Sequence, residues 1–96
     1  MTGLVLTIDA STTATKAIVW DELGHARGEG RAPLALSNPV PGGYEQDAEL
    51  WWETTIKAIR EAIVGIPVRE LRAVCVTHQR ETVVLTDDEG VPKHNA

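Results

Sequence analysis

The chain has 96 residues and a formal net charge of −5, from 9 Lys and Arg against 14 Asp and Glu, and 43% of its residues are hydrophobic. That length allows one domain at most with a modest core, and the apolar share excludes intrinsic disorder. The scattered basic residues speak against a nucleic-acid or anionic-membrane surface, the single Cys75 cannot form a disulfide framework or a Cys-based zinc site, and neither a spanning helix nor a signal peptide is visible, so the expectation is a cytoplasmic protein that engages neither nucleic acid nor membrane.

Residues 4–8, Leu-Val-Leu-Thr-Ile, read as a strand buried on both faces, ending at Asp9. Small residues follow, then a second strand over 15–20, rich in β-formers. Residues 21–24 turn the chain. A third strand is expected over 25–36, weakened by Gly28, Gly30 and Pro33. These three strands predict an antiparallel meander. Two prolines and two glycines make 37–46 a loop. Asp47 is a good N-cap for a helix over 48–64, in which Trp52, Ile56, Ile59 and Ile63 fall on one stripe, and Gly65 and Pro67 stop it. A further strand is expected over 71–77, another over 82–86, a turn at 87–90 and an extended segment over 91–96. The predicted fold is α/β, in the order β-β-β-α-β-β, with a mixed sheet and one main helix.

Two polar clusters carry the candidate chemistry. The first is Asp9 with Ser11, Thr12, Thr13, Thr15 and Lys16. A tight turn between strands aims N–H groups and hydroxyls at one point and can hold phosphate oxygens. A carboxylate beside a phosphate needs Mg²⁺ between them. This suggests Asp9 as the metal-holding and catalytic acid, with Thr12 and Thr13 on nucleotide phosphates and Lys16 neutralising charge. The same residues also suit an ordinary hairpin turn whose acid and hydroxyls bond local backbone, and spacing alone favours that reading, because turns of this composition are common. The pattern is neither a Walker P-loop nor a Rossmann fingerprint.

The second cluster is His78, Gln79, Arg80 and Glu81. Arg beside Glu offers paired donors and acceptors suited to vicinal hydroxyls. The alternative is a strand crossing an exposed rim with those charges paired or solvated. Trp51 and Trp52 read as core or interface anchors, and Cys75 as a packing residue.

Together these segments resemble the start of the FGGY carbohydrate kinases, a family that includes glycerol kinase, xylulokinase and ribulokinase. Residues 8–17, Ile-Asp-Ala-Ser-Thr-Thr-Ala-Thr-Lys-Ala, are similar to the family's first phosphate motif. Residues 41–47, Pro-Gly-Gly-Tyr-Glu-Gln-Asp, with Trp51 and Trp52 after them, are similar to its Pro-Gly-aromatic-x-Glu-Gln-Asp segment. Residues 77–82, Thr-His-Gln-Arg-Glu-Thr, resemble the Asn-Gln-Arg-Glu-Thr segment of glycerol kinases. One departure is Ser11, where the family carries glycine; a Cβ there could narrow the phosphate site or loosen affinity, and a working turn is still expected because serine is small and polar.

The resemblance implies the ribonuclease-H-like fold of actin and hexokinase. It implies ATP and Mg²⁺ as cofactors, with Asp9 at the metal and Thr12, Thr13 and Lys16 at the phosphates. It places a sugar or polyol against His78, Gln79, Arg80 and Glu81, and it implies γ-phosphoryl transfer to a hydroxyl. The family's general base, a later aspartate, and its C-terminal domain have no counterpart here. Residues 1–96 therefore read as part of an N-terminal domain, inactive alone. Such a piece leaves sheet edges open, which invites a homodimer or strand exchange. Set against this are a stand-alone, non-catalytic binding module of the same fold and a superfamily member that hydrolyses ATP without a sugar.

Overall fold

A computed structural model describes residues 3–96. In chain order the elements are β1 (Leu4–Ala10), β2 (Ala14–Trp20), β3 (Ala26–Pro33), β4 (Ser37–Val40), β5 (Gly43–Glu45), the helix α1 (Ala48–Ala62), a 3₁₀ turn at Val68–Glu70 and β6 (Leu71–His78). The main sheet has the order β3-β2-β1-β6. The meander β1-β2-β3 is antiparallel, and β6 joins the free edge of β1 in parallel after the helical crossover. A parallel neighbour requires such a crossover, because no tight turn can reverse the chain twice. This is the ribonuclease-H-like arrangement expected from the sequence, with a mixed sheet and one main helix.

Side chains alternate between the faces of β1, so Leu4, Leu6 and Ile8 share one face, and all three are buried. Across the pair, Ile8 meets Ala17 and Leu6 meets Val19. These residues and the helix residues Ala58 and Ala62 make one core, flanked by Ile59, Ile63, Ile66 and Leu71. Each of the larger side chains contributes about 1.5–3 kcal/mol by leaving water. The helix approaches β3 closely because Gly28 and Gly30 have no side chains there. A Cβ on Gly28 would collide with the Ala62 carbonyl, and one on Gly30 with that of Ala58. The glycines that weaken the third strand as a sequence pattern are thus what seats the helix on it. A buried bond between the Thr15 and Thr54 hydroxyls, at 2.9 Å, ties β2 to α1.

Asp47 caps the helix, its carboxylate accepting from the Glu49 N–H at 3.0 Å. The expected stripe is corrected in part. Ile59 and Ile63 pack on the core, but the buried face is Thr54, Ala58 and Ala62, and Trp52 is 64% exposed. Close approach selects small residues at the contact and displaces the large ones to its margins or into solvent. The helix ends two residues earlier than expected, at Ala62. The expected loop over 37–46 contains the β4–β5 hairpin, turned at Gly42 with φ +79°. The expected strand over 82–86 does not form; only Thr86 bridges to Pro92, and Val83 and Leu85 are exposed. A β-rich run with no neighbouring edge in register has no ladder to join. No helix among the described residues is long and apolar enough to cross a membrane.

Candidate functional site

The parallel register of β1 and β6 brings the two polar clusters to one end of the sheet. Ala10 pairs with His78 at the carboxyl ends of both strands, and the Gln79 N–H extends the ladder to the Ala10 carbonyl at 3.0 Å. From that end β1 runs into the turn before β2, and β6 runs into 79–82. The crevice outside the carboxyl ends of parallel strands is the usual ligand position in such sheets.

Asp9 lies on the face away from α1. There it is flanked by Lys16 of β2 and Thr77 of β6, its register partners on either side. The Thr77 hydroxyl donates to Asp9 Oδ1 at 3.3 Å. Asp9 and Lys16 are both exposed, and no ion pair joins them within 4.0 Å among the described residues. No group of three or more His, Cys, Asp or Glu side chains gathers around Asp9 or elsewhere among the described residues.

The turn itself is locked by backbone bonds. The Ser11 N–H and hydroxyl both donate to the Ala14 carbonyl, at 3.1 and 2.8 Å. Ser11 is not in the left-handed region, so its Cβ is tolerated and its hydroxyl is used inside the hairpin. The Thr13 carbonyl accepts from the Leu34 N–H at 2.9 Å, and the Thr12 carbonyl from Gln46 Nε2 at 2.6 Å. With those carbonyls held on the protein side, the Thr12 and Thr13 side chains stand exposed, and neither hydroxyl has a protein partner among the described residues.

The second cluster divides. His78 is exposed, its Nδ1 2.9 Å from the Gln79 carbonyl oxygen. Gln79 is half-buried and donates through Nε2 to Gln46 Oε1 at 2.8 Å, while its own Oε1 accepts from the Thr82 hydroxyl at 3.0 Å. Arg80 and Glu81 are exposed, and their side chains have no ion-pair or hydrogen-bond partner among the described residues. Glu81 has φ +60°, an uncommon conformation for a side-chain-bearing residue and one that gathers at functional sites.

Two hollows flank the Gln46–Gln79 bond. One, of about 260 Å³, is lined by Ser11, Thr15, Trp51, His78, Gln79 and Thr82 among others. The other, of about 370 Å³, reaches Thr12, Tyr44, Gln46 and Gln79. Asp9, Thr13, Lys16, Arg80 and Glu81 line neither. Of the predicted phosphate-type and acceptor-type residues, only Thr12, His78 and Gln79 line these hollows. A larger hollow, about 540 Å³, lies at the opposite end of the sheet, beside Gly3, Asp21 and Arg27. Two of its charged groups face each other, Arg27 Nη1 standing 3.6 Å from Asp21 Oδ2. The Asp21 carboxyl is held below its ordinary range, first by the His25 N–H; it secures the β2–β3 turn rather than a ligand.

Gln46 went unrecognised as a site residue in the sequence, where it sits in a Pro- and Gly-rich stretch. It is only 4% exposed. A polar residue flanked by Glu45 and Asp47 in such a stretch carries no hydropathy signal of burial; the usable signal was the similarity of residues 41–47 to a family segment.

The sequence model for the FGGY family of carbohydrate kinases, N-terminal domain, matches residues 4–96. The chain is 41% identical to a glycerol kinase of Rhizobium meliloti, over its whole length and 20% of that protein. It superposes on xylulose kinase from Rhodospirillum rubrum with TM-score 0.86 at 30% identity, over 96% of this chain and 19% of that one. It also superposes on Plasmodium falciparum glycerol kinase, solved with ADP, with TM-score 0.81 at 26% identity, over 98% of this chain and 20% of the other. The chain spans about a fifth of the length of the proteins it matches.

Proposed function

The chain belongs to the FGGY family of carbohydrate kinases, and from that premise we propose that it is the N-terminal part of an ATP-dependent kinase acting on a glycerol-type or pentose-type acceptor. The observation that carries this reading is the β1–β6 register, which sends the Asp9-to-Lys16 turn and the His78-to-Glu81 segment out of the same end of the sheet.

Thr12 and Thr13 offer hydroxyls to the ATP phosphates, and Lys16 lowers the cost of bringing phosphate charge near Asp9. Asp9, exposed and unpaired with Lys16, suits a hydrated Mg²⁺, which commonly takes one or two carboxylates and completes its shell with water and phosphate oxygens. That ion, when bound, supplies neutralisation of charge on the transferring group. Arg80 and Glu81, with Gln79 and His78, hold the acceptor hydroxyls as paired donors and acceptors.

In the reaction a bond forms between the acceptor oxygen and the γ-phosphorus, and the bond from that phosphorus to the β–γ bridging oxygen breaks. ADP departs, and the hydroxyl proton passes to a base. On this reading the base is the family's later aspartate, outside residues 1–96, and the segment alone is inactive. Residues 1–96 are then part of one N-terminal domain, and isolated copies associate through the open edge of β6. Light scattering that finds only monomer would contradict that last point.

The test is a panel of polyols and pentoses with MgATP and the whole protein that contains this segment. Arg80→Ala is expected to raise the acceptor KM roughly 10- to 100-fold, the loss of a charge-assisted contact, with the KM for ATP nearly unchanged. Unchanged kcat and KM for the acceptor would remove Arg80 from the site.

A further inference from the structure

Gln46 is buried, and both ends of its side-chain amide are engaged. Nε2 donates to the Thr12 carbonyl at 2.6 Å, and Oε1 accepts from Trp51 Nε1 at 3.0 Å and from Gln79 Nε2 at 2.8 Å. Its backbone N–H and carbonyl pair with Ala96, at 3.0 and 2.8 Å. Only one amide orientation satisfies this set, because a swapped amide would face oxygen to the Thr12 carbonyl and nitrogen to two donors. One amide thus connects the turn that carries Thr12 and Thr13, the helix at Trp51 and the segment that carries Arg80 and Glu81. These three regions are otherwise distant in the chain.

We propose that Gln46 is a positioning residue that fixes the nucleotide-phosphate turn relative to the acceptor-binding segment. This rests on the kinase reading above. Gln46 touches neither reactant. Its Thr12 arm sets where the phosphate-facing hydroxyls stand, and its Gln79 arm sets where the chain leaves β6 toward Arg80. In-line transfer depends on the distance between the two reactants, so a link between their supports bears directly on turnover.

Two substitutions in the whole protein separate the arms. Gln46→Glu keeps an acceptor for Trp51 and Gln79 but sets a carboxylate oxygen against the Thr12 carbonyl. The KM for ATP should rise about tenfold while the acceptor KM stays within about twofold. Gln46→Met, uncharged and of similar length, disconnects both arms, and both KM values should rise. KM does not depend on how much of the enzyme is folded, so a purely structural role would lower the melting temperature and leave both values in place. That result overturns the proposal.

If neither variant folds, the Trp51 indole N–H NMR signal decides. In the unaltered protein the acceptor should shift it through the shared Gln46 Oε1, and Gln79→Met should abolish the shift even at acceptor concentrations that still saturate the site. A shift that survives Gln79→Met overturns the proposal. Unaltered protein that phosphorylates no polyol or pentose overturns the kinase reading itself, whereas an active protein with insensitive Gln46 variants overturns only the role given to Gln46.

Discussion

Strands β1 and β6 are neighbours in one sheet and similarly apolar, yet one is buried and the other bare. Leu6 and Val74 are register partners on the same face, at 4% and 57% exposure. Ile8 and Val76 are the next such pair, at 6% and 60%. The difference is α1, which packs over β1, β2 and β3 and leaves β6 uncovered beyond Leu71. Apolar content says that a strand is suited to cover; it does not say what supplies it. The candidate site straddles this boundary. Its phosphate-type turn belongs to the packed half, its Arg-Glu pair to the bare half, and Gln46 spans the two.

The contrast is broken most severely at Gly30. Gly30→Val drives side-chain carbons into the Ala58 carbonyl and lifts α1 from β3. The expected loss is about 3 kcal/mol or more. A urea midpoint that did not move would mean the helix is not seated there. The next effect sharpens the contrast within one face. In this chain Leu6→Ala should cost about 2–5 kcal/mol, and Val76→Ala less than about 0.5 kcal/mol. Equal losses would show that β6 is as well packed as β1.

The smallest effect lies in the β2–β3 turn. Asp21 accepts from the Leu23 and His25 N–H groups, each at 2.9 Å, and its carboxyl is held below its ordinary value of 3.8 by the His25 bond first. A lowered carboxyl stabilises the fold above that ordinary value, and the contribution is lost as pH falls through the folded value. Asp21→Asn should remove this contribution, so the variant is slightly less stable near neutral pH and the two proteins converge as pH falls through the folded value. Identical acid melting profiles for the two proteins would contradict it.

Much of the fold was legible because its signals are local. The apolar run from Leu4, the β-formers before Trp20, the cap at Asp47 and the stop after Ile63 each act within a few residues. What was not legible depends on partners far along the chain. Trp52 has the same apolar signal as Ile59, and only the close approach permitted by Gly28 and Gly30 decides which of them is covered. Residues 82–86 have strand composition without an edge to pair with. For the site, the acid, the hydroxyls and the Arg-Glu pair stood out as residue types, and their common end of the sheet followed from the order of strands around the helix. Gln46 did not stand out, because a buried amide is recognised by what it bonds. Ser11, which departs from the family glycine, turns out to be accommodated by its own hydroxyl.

Chemical-shift mapping of the whole protein, isotope-labelled on backbone amides, bears most directly on whether the two polar clusters form one site. MgADP should perturb the amides of residues 11–16, and the acceptor those of 78–82, with Gln46 responding to both. Perturbations gathered instead around Asp21 and Arg27, at the far end of the sheet, or scattered without either cluster, would contradict a shared phosphotransfer site.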